Sequence, residues 1–210
     1  GSVAVASVTA GSKVSMFFCC PFEAMGATMA TYGGQNVGAR KLNRIREGMR
    51  SCILLGAGYA LAAFLVLYAF SDTIALLFVD RTETEILANA RRFLLINSAM
   101  YFPLSLVNIV RFMIQGLGYS RLAILAGVCE MAARSLVGFC LVPVFGYAGA
   151  CLANPAAWIA ADLFLIPAYL HVMKRLRVLM PGAEQQDPAE ASEADAGGKK
   201  KRRKPLHALG

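Results

Sequence analysis

Residues 51–79 read SCILLGAGYALAAFLVLYAFSDTIALLFV, and Asp72 near the far end is the one charged side chain in the run. A stretch this long and this apolar constrains the chain more than any other feature. About 20 helical residues cross a hydrocarbon core, and with no water there to satisfy the backbone, the segment must close its own hydrogen bonds as an α-helix. A helix on the core of a soluble domain would alternate polar and apolar faces; this run does not. Four further runs of the same character, 4–32, 93–117, 122–145 and 148–173, make five candidate spans. Composition agrees: 57% of the 210 residues are hydrophobic and 16% charged, against about a quarter charged in a soluble domain. The expected fold class is an all-α polytopic membrane helix bundle. Pro21, inside the long first run, should kink it, and Pro103 lies inside the third.

The charges collect between the spans. Residues 118–121 (Gly-Tyr-Ser-Arg) and 146–147 (Gly-Tyr) mark tight helical hairpins. The loop after the first run carries Arg40, Lys41, Arg44, Arg46 and Arg50, the turn after the third carries Arg121, and Lys174, Arg175 and Arg177 follow the fifth. The opposite side holds Arg81, Arg91 and Arg92 beside Asp80, Glu83 and Glu85. Basic residues in short loops stay cytoplasmic, so the expected location is the plasma membrane, multi-pass, with the C-terminus inside. Residues 1–178 form the expected transmembrane unit. Residues 179–210, acidic and then basic with no apolar period, are expected to be a disordered tail. Six of the 21 Lys and Arg lie at 199–204, a run suited to anionic lipid rather than nucleic acid in this context. Five spans ending inside must begin outside. With no start Met and no basic leader in GSVAVASVTAGSK, the chain is expected to be the later part of a longer one.

Within 32–48, YGGQNVGARKLNRIREG, an apolar helix gives way to a Gln35-Asn36-x-Gly38-Ala39 turn and then to four basic residues. Upstream stand Pro21-Phe22 and Ala27-Thr28-Met29-Ala30-Thr31-Tyr32. Further on come Arg111 with Gln115-Gly116-Leu117-Gly118, then Glu130-x-x-x-Arg134 followed by Pro143, Gly146 and Gly149, then Asn154-Pro155-Ala156-Ala157-Trp158. In this order and at this spacing, the set resembles the multidrug and toxic compound extrusion (MATE) transporters. The resemblance aligns residues 1 to about 178 with helices eight to twelve of a twelve-helix, two-lobe protein, and implies that the N-terminal lobe is missing. The Na⁺-coupled bacterial branch carries a mid-membrane acid in its tenth helix, where this chain has Leu104-Ser105-Leu106. The resemblance therefore implies a coupling acid in the first lobe.

Charges inside hydrocarbon are costly, so each marks a function or a buried partner. Glu130 and Arg134 are one helical turn apart and pair on one face, either as a structural ion pair or as part of a transport route. Asp162, one turn from Trp158, either attracts a cationic substrate with aromatic help or partners Arg134 or Arg111. Arg111 otherwise snorkels. Glu23 and Lys13 are weaker candidates. Asn97, Tyr101 and Asn108 recur along one side of the third span, as a cavity lining or as polar contacts between helices. Pro21, Gln35, Asn36, Gly38 and Ala39 have structural roles, with Gln35 and Asn36 expected to satisfy backbone groups freed at a helix end. All six cysteines fall in apolar runs and serve as small packing residues.

No Ser/His/Asp set, metal spacing or phosphate-binding Gly loop is present, and His171 and His207 stand alone. Neither an enzyme nor a cofactor is expected. The resemblance implies a secondary antiporter that exports organic, often cationic, compounds in exchange for H⁺ or Na⁺ by alternating access of two lobes. The alternatives are a lipid-linked oligosaccharide flippase of the same superfamily, expected to have a more cationic cavity, and a non-transporting membrane scaffold.

Overall fold

The computed structural model describes residues 2–76, 79 and 82–181. Every described element is helical: α1 Ser2–Gly38, α2 Leu42–Ala75, α3 Thr84–Ala99, α4 Tyr101–Gly116, α5 Ser120–Leu136, α6 Val142–Phe145 after a π-helical turn at Val137–Leu141, and α7 Tyr147–Leu179. The expected tail lies outside the described residues from 182 on, with His207, as do Asp80 and Arg81; α7 takes in the tail's first residue, Leu179.

The first connection is shorter than its composition implies. α1 continues through Gln35 and Asn36, and only residues 39–41 separate it from α2. Arg44, Arg46 and Arg50 therefore stand on α2, not in a loop. The cause is a buried stripe at Leu42, Ile45, Met49 and Cys52, whose three- and four-residue spacing continues the helix inward. The tight corner is closed by Arg40 in the left-handed region (φ 56°), by the Lys41 N–H donating to the Asn36 carbonyl at 2.8 Å, and by the Tyr32 hydroxyl donating to the Arg44 carbonyl at 2.9 Å. Gln35 is exposed, while the Asn36 side-chain amide donates to the Tyr32 carbonyl one turn back at 2.8 Å. The Asn36 amide therefore bonds back within α1 rather than to a backbone group freed at its end.

Proline shapes the other spans. α1 runs through Pro21 as one 37-residue helix, and the Tyr59 hydroxyl of α2 supports it there, donating to the Phe18 carbonyl at 3.0 Å. The third span is not one helix. Its two halves, α3 and α4, meet at Met100 with a bend of 53°. The Pro103 ring would clash with the carbonyl four residues back, that of Ala99, which is where α3 stops. Pro143 acts similarly: it follows the π-helical turn, a widened ladder that accommodates the missing donor.

α4 is the centre of the bundle. It contacts α1, α2, α3, α5 and α7 and buries eight of its 16 residues, from Tyr101 to Ile114. α5 buries three, so most of its surface faces outward. Large apolar side chains such as Leu54, Leu61, Phe139 and Val144 are exposed, as lipid contact requires. α1 crosses α4 closely. A Cβ on Gly116 would run into the Ala30 backbone, and one on Gly26 would meet the Asn108 carbonyl oxygen at 3.2 Å. Small residues permit this approach in lipid. Within the same junction Phe22 stacks edge-on against Tyr59 and Tyr101, at ring separations of 5.0 and 5.7 Å.

Candidate functional site

The buried residues of α5 are Ala123, Ala126 and Glu130, a stripe at helical spacing that turns the carboxylate inward. α7 presents Trp158, Ala161, Asp162 and Leu165 on its inner face. α4 places Arg111 beside buried Val107, Val110 and Ile114. Because these three helices pack against one another, Arg111, Glu130 and Asp162 gather in the interior, with the exposed Arg134 at the edge. Arg111 of α4 forms an ion pair with Glu130 of α5. Arg134 reaches the other oxygen of Glu130 at 3.4 Å. Asp162 is within electrostatic range of Arg111, and its Oδ1 is buried with no hydrogen-bond partner among the described residues.

The expected Glu130–Arg134 pair thus forms part of a larger arrangement. Glu130 does not rely on its own helix alone: its main partner arrives from α4. The Arg134 side chain is 47% exposed, against 25% for Arg111 and 12% for Glu130. Two guanidinium groups face two carboxylates, so full ionisation balances the charge. The spacing within α5 could reveal Arg134 but not Arg111, since the register between helices is not written in either one. The available signal was the cost of an isolated arginine in an apolar span, which demands a partner.

The other expected residues divide. Trp158 is buried in the core one turn from Asp162 and presents no open aromatic face. The expected stripe of Asn97, Tyr101 and Asn108 does not exist as a stripe, because the break at Met100 puts Asn97 on α3 and the other two on α4. Asn97 accepts from the Asn154 side-chain amide of α7 at 3.2 Å and donates to the Phe93 carbonyl at 2.9 Å. Tyr101 is fully buried among α1 and α2 aromatics, Asn108 bonds its own helix at the Leu104 carbonyl (3.0 Å), and Gln115 is exposed. Two grooves on the bundle are apolar: about 440 Å³ beside Val5, Val8 and Tyr147, and about 360 Å³ beside Ala60, Phe64 and Phe102. Neither touches the charged cluster. The exposed side of α1 is mixed, carrying Lys13, Glu23, Thr28, Thr31 and Gln35 among the apolar Val5, Met16 and Phe17. Among the described residues, no group of three or more His, Cys, Asp or Glu is arranged to hold a metal.

A polytopic bundle with broken spans and an internal charged junction has the features of a membrane transporter. The MatE family model matches residues 1–140, and the chain belongs to that family. Among solved structures it is similar to the "Inward-facing conformation of a multidrug resistance MATE family transporter of the MOP superfamily", at 16% identity and a TM-score of 0.68. That match covers 85% of this chain and 42% of the other, so the chain spans less than half that transporter's length. A comparison with curated proteins gives no match.

Proposed function

We propose that the chain is one lobe of a two-lobe secondary antiporter that exports organic cations in exchange for H⁺ or Na⁺ across the plasma membrane. The observation that carries this reading is the largely enclosed junction of Arg111, Glu130 and Asp162, with the exposed Arg134 at its edge, within a MATE fold. Intramembrane charges at this cost mark ion or substrate pathways. Glu130 between the two guanidinium groups also favours cation export over a lipid-linked sugar flippase, expected to have a more cationic cavity. The exposed side of α1, where Lys13, Glu23, Thr28 and Thr31 interrupt the apolar residues, is the surface on which an N-terminal lobe would close. Residues 182–210 would then lie at the cytoplasmic surface against anionic lipid.

The test is efflux of ethidium, an organic cation, by cells producing the intact two-lobe protein. Collapse of the proton and sodium gradients by ionophores should stop efflux, while ATP depletion with a gradient imposed should not. Efflux that survives the loss of both gradients would overturn the antiport reading.

A further inference from the structure

We propose that Asp162 is a proton-binding site within this lobe, and that Arg111 passes between Glu130 and Asp162 as that proton is bound and released. The proposal rests on the transporter reading and extends it by naming the coupling ion and its seat. Asp162 is 8% exposed, and its Oδ1 has no hydrogen-bond partner among the described residues. A buried carboxylate without a contact partner is strongly disfavoured and is relieved by taking up a proton or by gaining a cation.

The cations are unevenly shared. Glu130 holds two guanidinium groups, Arg111 and Arg134, while Asp162 has Arg111 only at longer electrostatic range. This arrangement suits a protonated Asp162. When the proton leaves to water, Arg111 can turn to Asp162 while Glu130 keeps Arg134. With Asp162 protonated the excess cation is the half-exposed Arg134, and with Asp162 ionised each guanidinium faces a carboxylate, so neither state leaves a fully buried ion unpaired. The exchange also changes which helices are tied, α4 to α5 in one state and α4 to α7 in the other. Proton occupancy thereby reaches the packing of the bundle.

A proton fits this site better than other cations. Oδ1 is closed to solvent, which leaves an organic cation no approach to it. A sodium ion needs several oxygen ligands and would sit beside a guanidinium, whereas a proton needs neither coordination nor space. The other elements packed against α7 bring no competing charge to Asp162. Arg92 of α3 interacts with Tyr147 and Cys151 near the start of α7, and the segment from the π-helical turn to Phe145 offers only the exposed thiol of Cys140.

Infrared titration of the purified intact transporter in lipid tests the proposal, using the C=O band of a protonated carboxyl group. Wild type should show a band that fades with rising pH, and Asp162→Asn should lack it. Glu130→Gln releases Arg111 toward Asp162, so the midpoint should move to lower pH. Arg134→Met binds Arg111 more firmly to Glu130, so the midpoint should move to higher pH. Each shift should be about one pH unit, the low end for gaining or losing a charged neighbour. The proposal is overturned by absence of a titrating band in wild type, by a band unchanged in Asp162→Asn, or by midpoints that move together. A band abolished by Na⁺ at constant pH would assign the site to sodium instead. If Asp162→Asn fails to fold, the opposite shifts of the other two variants still decide. Ethidium efflux from the same preparations separates the two readings: a titrating Asp162 without efflux sinks the antiport function alone, and efflux without titration sinks this proposal alone.

Discussion

Arg111 and Arg134 both reach Glu130, but their surroundings give them unequal weight. The Arg134 side chain is nearly half exposed and 3.4 Å away. Pairs of that kind contribute about 0–1 kcal/mol, and Arg134→Met should cost no more. Arg111 and Glu130 are largely enclosed, and breaking such a pair leaves an uncompensated charge at a cost of about 3–5 kcal/mol when burial is complete. Each residue here has a fallback partner, Arg134 for Glu130 and Asp162 for Arg111, so we expect about 2–3 kcal/mol for Arg111→Met or Glu130→Gln alone. The double variant should recover at least about 1 kcal/mol of the summed loss. Unfolding by dodecyl sulfate, followed by circular dichroism on the four proteins, measures this. Equal losses for Arg134→Met and Arg111→Met would show that the local i,i+4 pair, not the contact between helices, holds Glu130.

At the scale of elements, close approach decides what a substitution costs. Gly116 has no room for a Cβ against the Ala30 backbone, whereas Gly58 on α2 has nothing within 4 Å. Gly116→Ala should therefore destabilise by at least the about 1–3 kcal/mol of core overpacking, since backbone cannot yield as a flexible side chain would. Gly58→Ala should be neutral or stabilising, because it removes the flexibility of a helical glycine. Similar losses from both changes would refute the α1–α4 crossing. Asn154→Leu removes the hydrogen bond to Asn97, and about 0.6 kcal/mol is the average for such contacts in membranes. These elements also mark how far the sequence could be read. The apolar runs were legible because lipid penalises every unsatisfied polar group, so each span must show itself in composition. The basic segment after α1 was misread as a loop because arginines dominate it, although Leu42, Ile45 and Met49 already had helical spacing. The break at Met100 follows from Pro103, but the chain alone does not show whether a proline ends a helix, as here, or lies within one, as Pro21 does in α1. Trp158 was read as a cavity residue, and only packing against the other helices shows that it is interior.

For the whole molecule, helix connectivity and charge make the same demand on orientation. The α1–α2 corner, the α4–α5 turn and the end of α7 lie at one end of the bundle, where Arg175 stacks over the Tyr119 ring at 5.8 Å from its centroid. That end carries Arg40, Lys41, Arg44 and Arg121, while Glu83 and the exposed Arg91–Asp72 ion pair (3.0 Å) lie at the other. On the basic-residue rule we expect the first end to be cytoplasmic. Cysteine labelling from each side, in a background with the six native cysteines changed to alanine, should place Arg121→Cys inside and Glu83→Cys outside. Labelling of Glu83→Cys from the cytoplasm alone would invert the topology. Orientation in turn bears on activity. On the proposed function the charged junction belongs to one lobe, and alternating access would require a second body for it to rock against, closing on the exposed side of α1. We therefore expect the 210-residue chain, reconstituted alone, to insert and show the same labelling pattern yet give no gradient-driven ethidium flux above empty vesicles. Adding a separately produced N-terminal lobe should restore flux and protect Thr28→Cys and Thr31→Cys from aqueous reagents. Flux from the chain alone would show that the junction of α4, α5 and α7 is itself a complete pathway.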